Sequence, residues 1–400
     1  MTLADRSIEE RWRVGSAVAL TLLVQTAVSL QAASVPVMAT AIAESRGWSV
    51  TWIALYPPIL YFAAFIVSFR VPSLLQRLGG MGLALCCLAA GCVGLLALLP
   101  DSIALSAVAP LSLGLGYGAM TPASSHILGP RTSPNTAGLV MSIKQSGVPL
   151  GAVLAGAILP IFILHLGWQY ALIALTLATG AVALVLLPSV AWLSGTEGAA
   201  KPVSYRPLEP VRRLFKVRGM MTLLFATLVF TAMQLCLRSF FTVYLVKDLG
   251  LNLATAGLAF GVSQAVGIFG QVGWATVSDR LLSPHTVMAI VGSLMTIAAV
   301  LTAVIGPGSS VFVVIGVAAL FGISAAGFIP VVLGEVARHS PSGQVGAMTS
   351  GANLFVISGA LLGPLVFGAV SSGLGYPAAF IALALCTLVG TVAVASRSGA

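Results

Sequence analysis

The sequence segment that decides the fold is RTSPNTAGLVMSIKQSGVPLGAVLAGAILP, residues 131–160. A second copy, RHSPSGQVGAMTSGANLFVISGALLGPLVF, occupies residues 338–367. Both copies open with R-x-S-P, and after one inserted residue they stay in register at an offset of 208, which pairs Gly151 with Gly359. The first copy carries Lys144 inside its apolar run, whereas the second has Ala352. The chain is therefore a duplication whose first copy keeps one charge within an apolar helix.

The repeat extends beyond this segment. LGWQYALIAL, starting at position 166, pairs with LGYPAAFIAL 208 residues later, and six of the ten positions are identical. Gly114 and Pro122 recur at the same offset as Gly322 and Pro330. The two halves therefore have the same order of elements. Because each copy holds six apolar runs long enough to cross a membrane, both copies start on the same side, which predicts parallel repeats related by an axis along the membrane normal.

Composition places the chain in a membrane. It has 400 residues, of which 58% are hydrophobic and 7% charged, and its mean hydropathy is +1.05. Apolar runs of about 20 residues recur along it, so a soluble protein is excluded. The N-terminus carries acids before its apolar run and shows no cleavage site, so the first span is expected to be retained. The five cysteines lie in apolar segments without metal or disulfide spacing and are expected to pack.

The apolar runs predict an all-α membrane protein with twelve transmembrane helices, here called spans 1 to 12. Six fall in residues 1–188 and six in residues 219–400, and the polar residues 189–218 form a linker between these halves. The spans are predicted to begin near Val14, Val50, Gly82, Ser102, Ala137, Trp168, Met220, Leu253, Thr286, Val311, Gly346 and Tyr376.

The basic residues predict the orientation. If both termini are cytoplasmic, fifteen of the nineteen Lys and Arg lie on that side, and only Arg46 and Lys247 lie outside. The positive-inside rule therefore predicts a multi-pass protein of the cell inner membrane with cytoplasmic termini. The basic excess is explained by this topology, so nucleic acid is not an expected partner. Lys144 and Arg238 remain, within the spans.

These features resemble the major facilitator superfamily of secondary transporters over nearly the whole chain. The family signature G-x-x-x-D-R-x-G-R-R in the loop between spans 2 and 3 is similar to PSLLQRLGGM, which begins at Pro72 and has Gln76 at the acid position. Arg77 follows it, and the loop between spans 8 and 9 carries Asp279 and Arg280. The resemblance implies that Arg77, Asp279 and Arg280 gate the cytoplasmic side. Glu335, at the cytoplasmic end of span 10, is a further candidate for gating.

Two further motifs bear on the kind of transport. Residues 359–364 read G-x-x-x-G-P, similar to the antiporter motif of span 5 in the family but located in span 11. Drug/proton antiporters of the family carry a buried arginine four residues before a glycine in span 4, whereas here Pro110 precedes Gly114. The resemblance to drug antiporters is correspondingly weaker.

Arg238 is the sharpest functional signal from the residues themselves. It lies about nine residues, or roughly 13 Å of helix, from Lys247 at the outer end of span 7. Thr227, Thr231, Gln234, Arg238 and Thr242 have spacings of three and four, so they share one helical face. A polar face in a membrane helix is expected to line the bundle interior. The open alternative is an arginine at the outer interface or one satisfied by backbone carbonyls.

Lys144 lies some seven residues, or about 10 Å, into span 5, so a stem that reaches the interface stays an alternative. All ten acids fall in tails, loops or helix ends: Asp5, Glu9, Glu10, Glu44, Asp101, Glu197, Glu209, Asp248, Asp279 and Glu335. Two cations that face a cavity without a protein counter-ion are costly to desolvate, and a bound anion relieves that cost. The sequence therefore predicts an anionic substrate bound by Arg238 and Lys144.

Other polar residues are candidates because the resemblance implies that their spans line a central cavity. They are Gln25, Gln31, Tyr56, Tyr61, Tyr117, Gln145, Gln234, Gln264 and Asn353. Each is equally explained by an interhelical hydrogen bond. No catalytic constellation, cofactor motif or metal spacing is present, so the chain is not expected to be an enzyme.

The sequence thus predicts a monomeric secondary transporter that moves a small organic anion, a carboxylate, by alternating access. The alternative is proton-coupled efflux of hydrophobic or drug-like compounds, and a sensor or membrane enzyme would need a soluble domain that the sequence does not show. No carboxylate lies at mid-membrane to relay a proton, so either anion exchange or co-transport is expected. Arg238 and Lys144 are then expected to stay charged throughout, and the partner ion is a counter-anion or a proton. Glu335, at the cytoplasmic end of span 10, is the one acid close enough to the predicted cavity to act as a proton site instead.

Overall fold

The computed structural model describes residues 3–48, 55–194 and 208–397, and these ranges contain helices and no strand. Ten helices are long and apolar enough to cross a membrane. Tyr56–Ser68 is a shorter apolar helix, and Gly375 divides the 51-residue helix Val345–Ala395 into two. The twelve-span prediction is therefore confirmed.

Spans 1 to 6 begin close to their predicted positions, apart from span 2, whose predicted start lies outside the described residues. The Val71–Leu96 helix holds the end of span 2 and all of span 3, because Gly79 turns the backbone at φ +69°. Short 3₁₀ turns, Gly129–Arg131 and Pro134–Thr136, precede span 5. The six spans comprise Leu3–Arg46, Tyr56–Ser68, Val71–Leu96, Ile103–Leu128, Ala137–Gln145 with Gly147–Leu166, and Trp168–Ser194.

The second set of spans follows an eight-residue helix, Glu209–Lys216, in the predicted linker, of which residues 195–207 lie outside the described part. Span 10 is interrupted at Ala326 and Gly327. The spans comprise Met220–Lys247, Leu253–Arg280, Pro284–Val304, Val311–Ala325 with Phe328–Arg338, and Val345–Ala395, which supplies both spans 11 and 12.

The chain forms two compact units that do not coincide with the two sequence halves. The first unit contains residues 1–133, 143–212 and 339–354. The second contains residues 134–142, 213–338 and 355–400. The start of span 5 thus belongs to the second unit, and the start of span 11 belongs to the first.

The sequence repeat reappears as equivalent helix contacts in the two units. In the first unit, Gly114 packs against the carbonyl of Leu60 so closely that a Cβ would overlap it. In the second, Gly322 packs in the same way against the carbonyl of Ser263. Gly114 and Gly322 are 208 residues apart along the chain, and Leu60 and Ser263 are 203 residues apart. Small residues here let two backbones approach.

Each half also ends its fifth span with the same turn. Gly167 follows span 5 with φ +89°, and Gly375 follows span 11 with φ +83°. Both lie in the left-handed region, where a Cβ is strained, so the L-G pair of the repeat is needed to reverse the chain.

The two units are packed by different side chains. The first has an aliphatic core in which Met38, Leu95 and Leu172 are among the buried members. At the end of span 1, the guanidinium of Arg46 lies 4.7 Å from the ring centre of Trp48 and 4.9 Å from that of Trp168. The second unit is instead packed by aromatic pairs, such as Phe230 with Phe328, Phe241 with Phe321, and Phe367 with Phe380.

Candidate functional site

Lys144 is buried completely in the first unit. Its Nζ donates one hydrogen bond, 3.4 Å long, to the backbone carbonyl of Thr121 in span 4. It forms no ion pair with any residue whose side chain the structure describes. The side chain therefore does not extend to the surface, and the interface alternative raised by its position in the sequence does not apply.

Pro122 explains why span 4 offers a free carbonyl group one turn before Thr121. A proline has no N–H, so the carbonyl four residues earlier, that of Gly118, loses its helical donor. The side chain of Asn353, at the start of span 11, donates to this carbonyl at 3.0 Å. Lys144 and Asn353 therefore contact successive turns of span 4, and the structure brings these two predicted residues together there.

Span 5 is itself interrupted beside Lys144. Its helix stops at Gln145 and resumes at Gly147, because Pro149 cannot donate to the carbonyl of Gln145. The side chains of Gln145 and Gln25 are both buried, and the Oε1 atom of each has no hydrogen-bond partner in the described residues. A Cβ on Gly147 would contact Gln25 at 2.9 Å, so span 1 places Gln25 one turn from Lys144.

The other predicted residues of the first unit have mainly interhelical contacts. Gln31 donates to Leu88, Cys92 and Thr179, which lie in spans 3 and 6. Tyr56 donates to the carbonyl of Ala32. Tyr61 and Tyr117 form an edge-to-face ring pair with centres 6.1 Å apart.

In the second unit, Arg238 is half-buried and its buried Nε has no hydrogen-bond partner in the described residues. On the same helical face, Thr227 and Thr231 are buried, and each bonds a carbonyl of its own helix. Gln234 donates to the carbonyl of Ala325 at 2.6 Å, where span 10 is interrupted. Gln264 is half-buried and donates to Ser263.

Asp279 is the centre of a polar cluster at the ends of spans 5, 8 and 10. Its carboxylate accepts the backbone N–H groups of Gly138 at 3.1 Å and Leu139 at 2.8 Å. It also binds Nη1 of Arg338 at 2.9 Å, and Nε of Arg338 binds Glu335 at 2.9 Å. An acid at a helix N-terminus satisfies unpaired N–H groups and the helix dipole. We call these residues the Asp279 cluster.

The basic residues that the family motif suggested are placed differently. Arg77 and Arg280 are both exposed. The cation of the Asp279 cluster is Arg338 instead, which sequence analysis noted only as the first residue of the repeat. The sequence feature that could have indicated this role is the position of Arg338 in R-x-S-P, directly before the start of span 11.

An apolar cavity of about 120 Å³ lies elsewhere in the first unit, toward the ends of spans 1, 2 and 4. Its wall includes Trp48, Tyr56 and Pro110, and Ser106 is one of its few polar members. Lys144 does not line it, so it is separate from the polar site. Among the described residues no cluster of His, Cys, Asp or Glu could hold a metal ion.

The comparisons agree with a transporter fold. A sequence profile of the Major Facilitator Superfamily matches residues 18–332. No curated protein matches the sequence. Among solved structures, the chain is similar to the E. coli fucose:proton symporter FucP, with TM-score 0.71, 15% identity and coverage of 96% of this chain and 98% of that chain.

Two other solved structures are similarly close. A bacterial homologue of the iron transporter ferroportin, in an outward-facing state, has TM-score 0.74, 16% identity and coverage of 96% and 100%. The human organic anion transporter MFSD10 (TETRAN) has TM-score 0.71, 17% identity and coverage of 96% and 99%. The chain belongs to the Major Facilitator Superfamily: it is a multi-pass membrane transporter of small molecules and not an enzyme.

Proposed function

We propose that this transporter moves a small organic anion, a carboxylate, by alternating access. The observation that carries the proposal is the complete burial of Lys144 without an acidic partner among the described residues. An unpaired buried cation is unstable in a membrane interior. A carboxylate that enters the site would supply the missing counter-ion.

Arg238, in the second unit, also supports a carboxylate as the substrate. Its Nε is buried and has no hydrogen-bond partner in the ranges that the structure describes, and Arg238 shares a helical face with the buried Gln234. A guanidinium binds a carboxylate through two parallel hydrogen bonds. Lys247, nine residues further along span 7, is exposed, so it is a matched cation outside the proposed site.

The distribution of acids agrees with this proposal. Asp279 and Glu335 are bound to Arg338, and Asp101 is paired with Arg46. Glu44 and Asp248 lie at helix ends. Within the described residues, therefore, the protein gives neither Lys144 nor Arg238 a carboxylate partner.

The test is a thermal-shift screen of purified protein against acetate, lactate, succinate and benzoate, because a ligand bound to the native state raises its stability. Arg238→Ala and Lys144→Ala should lose the shift, and Arg238→Lys should keep part of it because ammonium lacks the fork. Lys247→Ala should bind as the parent does. A parent that no acid stabilises, or alanine variants with unchanged affinity, would refute the proposal.

Efflux of hydrophobic compounds is the second candidate, favoured by the apolar cavity near Trp48 and Pro110. It predicts that cells producing the protein resist hydrophobic drugs and that Pro110→Phe, which fills the cavity, removes the resistance. Carboxylate uptake by the same cells should then be absent. The two candidates therefore differ in both assays.

We further propose that both termini are cytoplasmic and that the Asp279 cluster gates that side. The positive-inside distribution supports this orientation. A cysteine introduced within residues 195–207 should be labelled only from the cytoplasm, and one at position 101 only from outside. The reverse pattern at either position would contradict the orientation.

A further inference from the structure

The surroundings of Lys144 leave its ammonium group largely unsatisfied. An ammonium has three N–H donors, and within the described residues Lys144 uses one of them, in a 3.4 Å bond. The acceptor, the carbonyl of Thr121, also accepts the hydroxyl of Ser124 at 3.0 Å. The remaining two donors have no partner in the described part of the chain, although the side chain is inaccessible.

The helices around this part of span 5 do not provide a counter-ion. The charged or titratable groups on the described parts of spans 1, 4 and 5 and the start of span 11 are Glu44, Arg46, Tyr117, His126, His165 and His339. Glu44 lies at the far end of span 1, two residues before Arg46 in the last helical turn. Asp279, which contacts span 5 at Leu139, is already bound by Arg338. Among the residues whose side chains the structure describes, therefore, no free carboxylate lies beside Lys144.

A lysine that is buried in this way has two stable protonation states. With a bound anion, the ammonium is paired; without one, the free energy of burial favours loss of the proton, which a lysine can release and an arginine cannot. We propose that Lys144 carries the coupling proton of this transporter, protonated while the substrate anion is bound and neutral when the site is empty. This rests on the proposed function, because the anion is the partner that retains the proton.

The charge balance of each half-cycle is simple. One carboxylate and one proton on the Lys144 amine enter together from one side, and both leave to water on the other, with no covalent bond made or broken. The proposal replaces the sequence expectation that Lys144 stays charged throughout. Co-transport with a proton would then need no acid at mid-membrane, and Glu335, the acid considered from the sequence, is bound to Arg338.

The direct measurement is proton uptake on binding. The ligand is the tightest-binding member of the acetate, lactate, succinate and benzoate panel, titrated into the purified full-length protein in two buffers of different ionisation enthalpy. We expect about one proton to be taken up per anion in mildly alkaline solution, and the anion affinity of the parent to fall by up to about tenfold per pH unit. Binding without proton uptake, at an affinity independent of pH, would overturn the proposal.

Variants at position 144 separate a proton site from a fixed charge. Lys144→Arg should bind the anion and exchange it across liposomes at equal pH, but show no proton uptake and no accumulation in a pH gradient. Lys216→Arg, an exposed lysine in the linker helix, should retain both responses. Gradient-driven accumulation by Lys144→Arg would refute the proposal while leaving anion transport intact.

Failure of the proposed function and failure of the proton proposal give different results. If the parent binds no anion of the panel, the proposed function fails and the proton proposal fails with it. If Lys144→Arg does not fold, as judged by its elution in size-exclusion chromatography, the proton uptake and pH slope of the parent still decide the question. Uptake of about one proton supports Lys144 over an arginine-only site, because an amine can take up and release a proton in this way and a guanidinium cannot.

Discussion

The carboxylate of Asp279 accepts the backbone N–H of Leu139 at 2.8 Å, across 140 residues of sequence. We expect Asp279→Asn to weaken this contact, because the neutral amide loses the charge-assisted bond to Arg338 and turns one NH₂ toward N–H donors. The expected loss of stability is about 1–3 kcal/mol, measured by thermal unfolding in detergent. Arg280→Gln, next in sequence but exposed, is the control. Equal unfolding temperatures for the two variants would contradict the role of Asp279.

In the first half, Gln76 occupies the acid position of the family signature, and an acid can be introduced there. Leu75, the neighbour of Gln76, contacts Gly346 at the start of span 11 in the first unit. Gln76→Asp places a carboxylate near that helix N-terminus. Its interaction with the helix dipole should stabilise the folded protein by about 0.3–1 kcal/mol. We expect higher thermal stability and slower transport in liposomes. Gln76→Asn lacks the charge, so a similar effect from both variants would exclude this explanation.

The close glycine contacts of spans 4 and 10 should be intolerant of a methyl group. Gly114→Ala and Gly322→Ala each put a Cβ into a backbone carbonyl, which cannot move without its helix. Each should destabilise the protein by about 1–3 kcal/mol. Gly316→Ala, in the same helix as Gly322 but with open space around it, is the control. It should be neutral or slightly stabilising because alanine favours a helix.

Arg46 should be needed for the stability of the first unit. It lies between Trp48 and Trp168 and donates to the carbonyls of Leu98 and Leu99. Burial lowers the pKa of Arg46 and the carboxylate of Asp101 raises it, but the guanidinium stays protonated at any pH at which the protein is folded. Arg46→Lys should therefore lower the unfolding temperature at every pH, because ammonium lacks the planar fork. The exposed Arg397→Lys should leave it unchanged.

Most of the fold is predictable from the sequence, because the duplication and the apolar runs report on it directly. The offset of 208 that relates Gly114 to Gly322 reappears as the same backbone contact in each unit. The partners of Lys144 were not predictable, because its acceptor is a main-chain carbonyl beside a proline and carries no side-chain signal. Arg338 was missed because its role depends on Asp279, which is 59 residues away in sequence. Whether the candidate residues bind a substrate stays a prediction.

The assignment of residues 134–142 to the second unit and 339–354 to the first has a consequence for how the protein can be divided. A gene fragment that ends at the linker would leave Asp279 without the N–H groups of Gly138 and Leu139, and Gly118 without the amide of Asn353. Each separately produced half would therefore expose unpaired polar groups. The two fragments should accumulate only when synthesised in the same cell, where each completes the other.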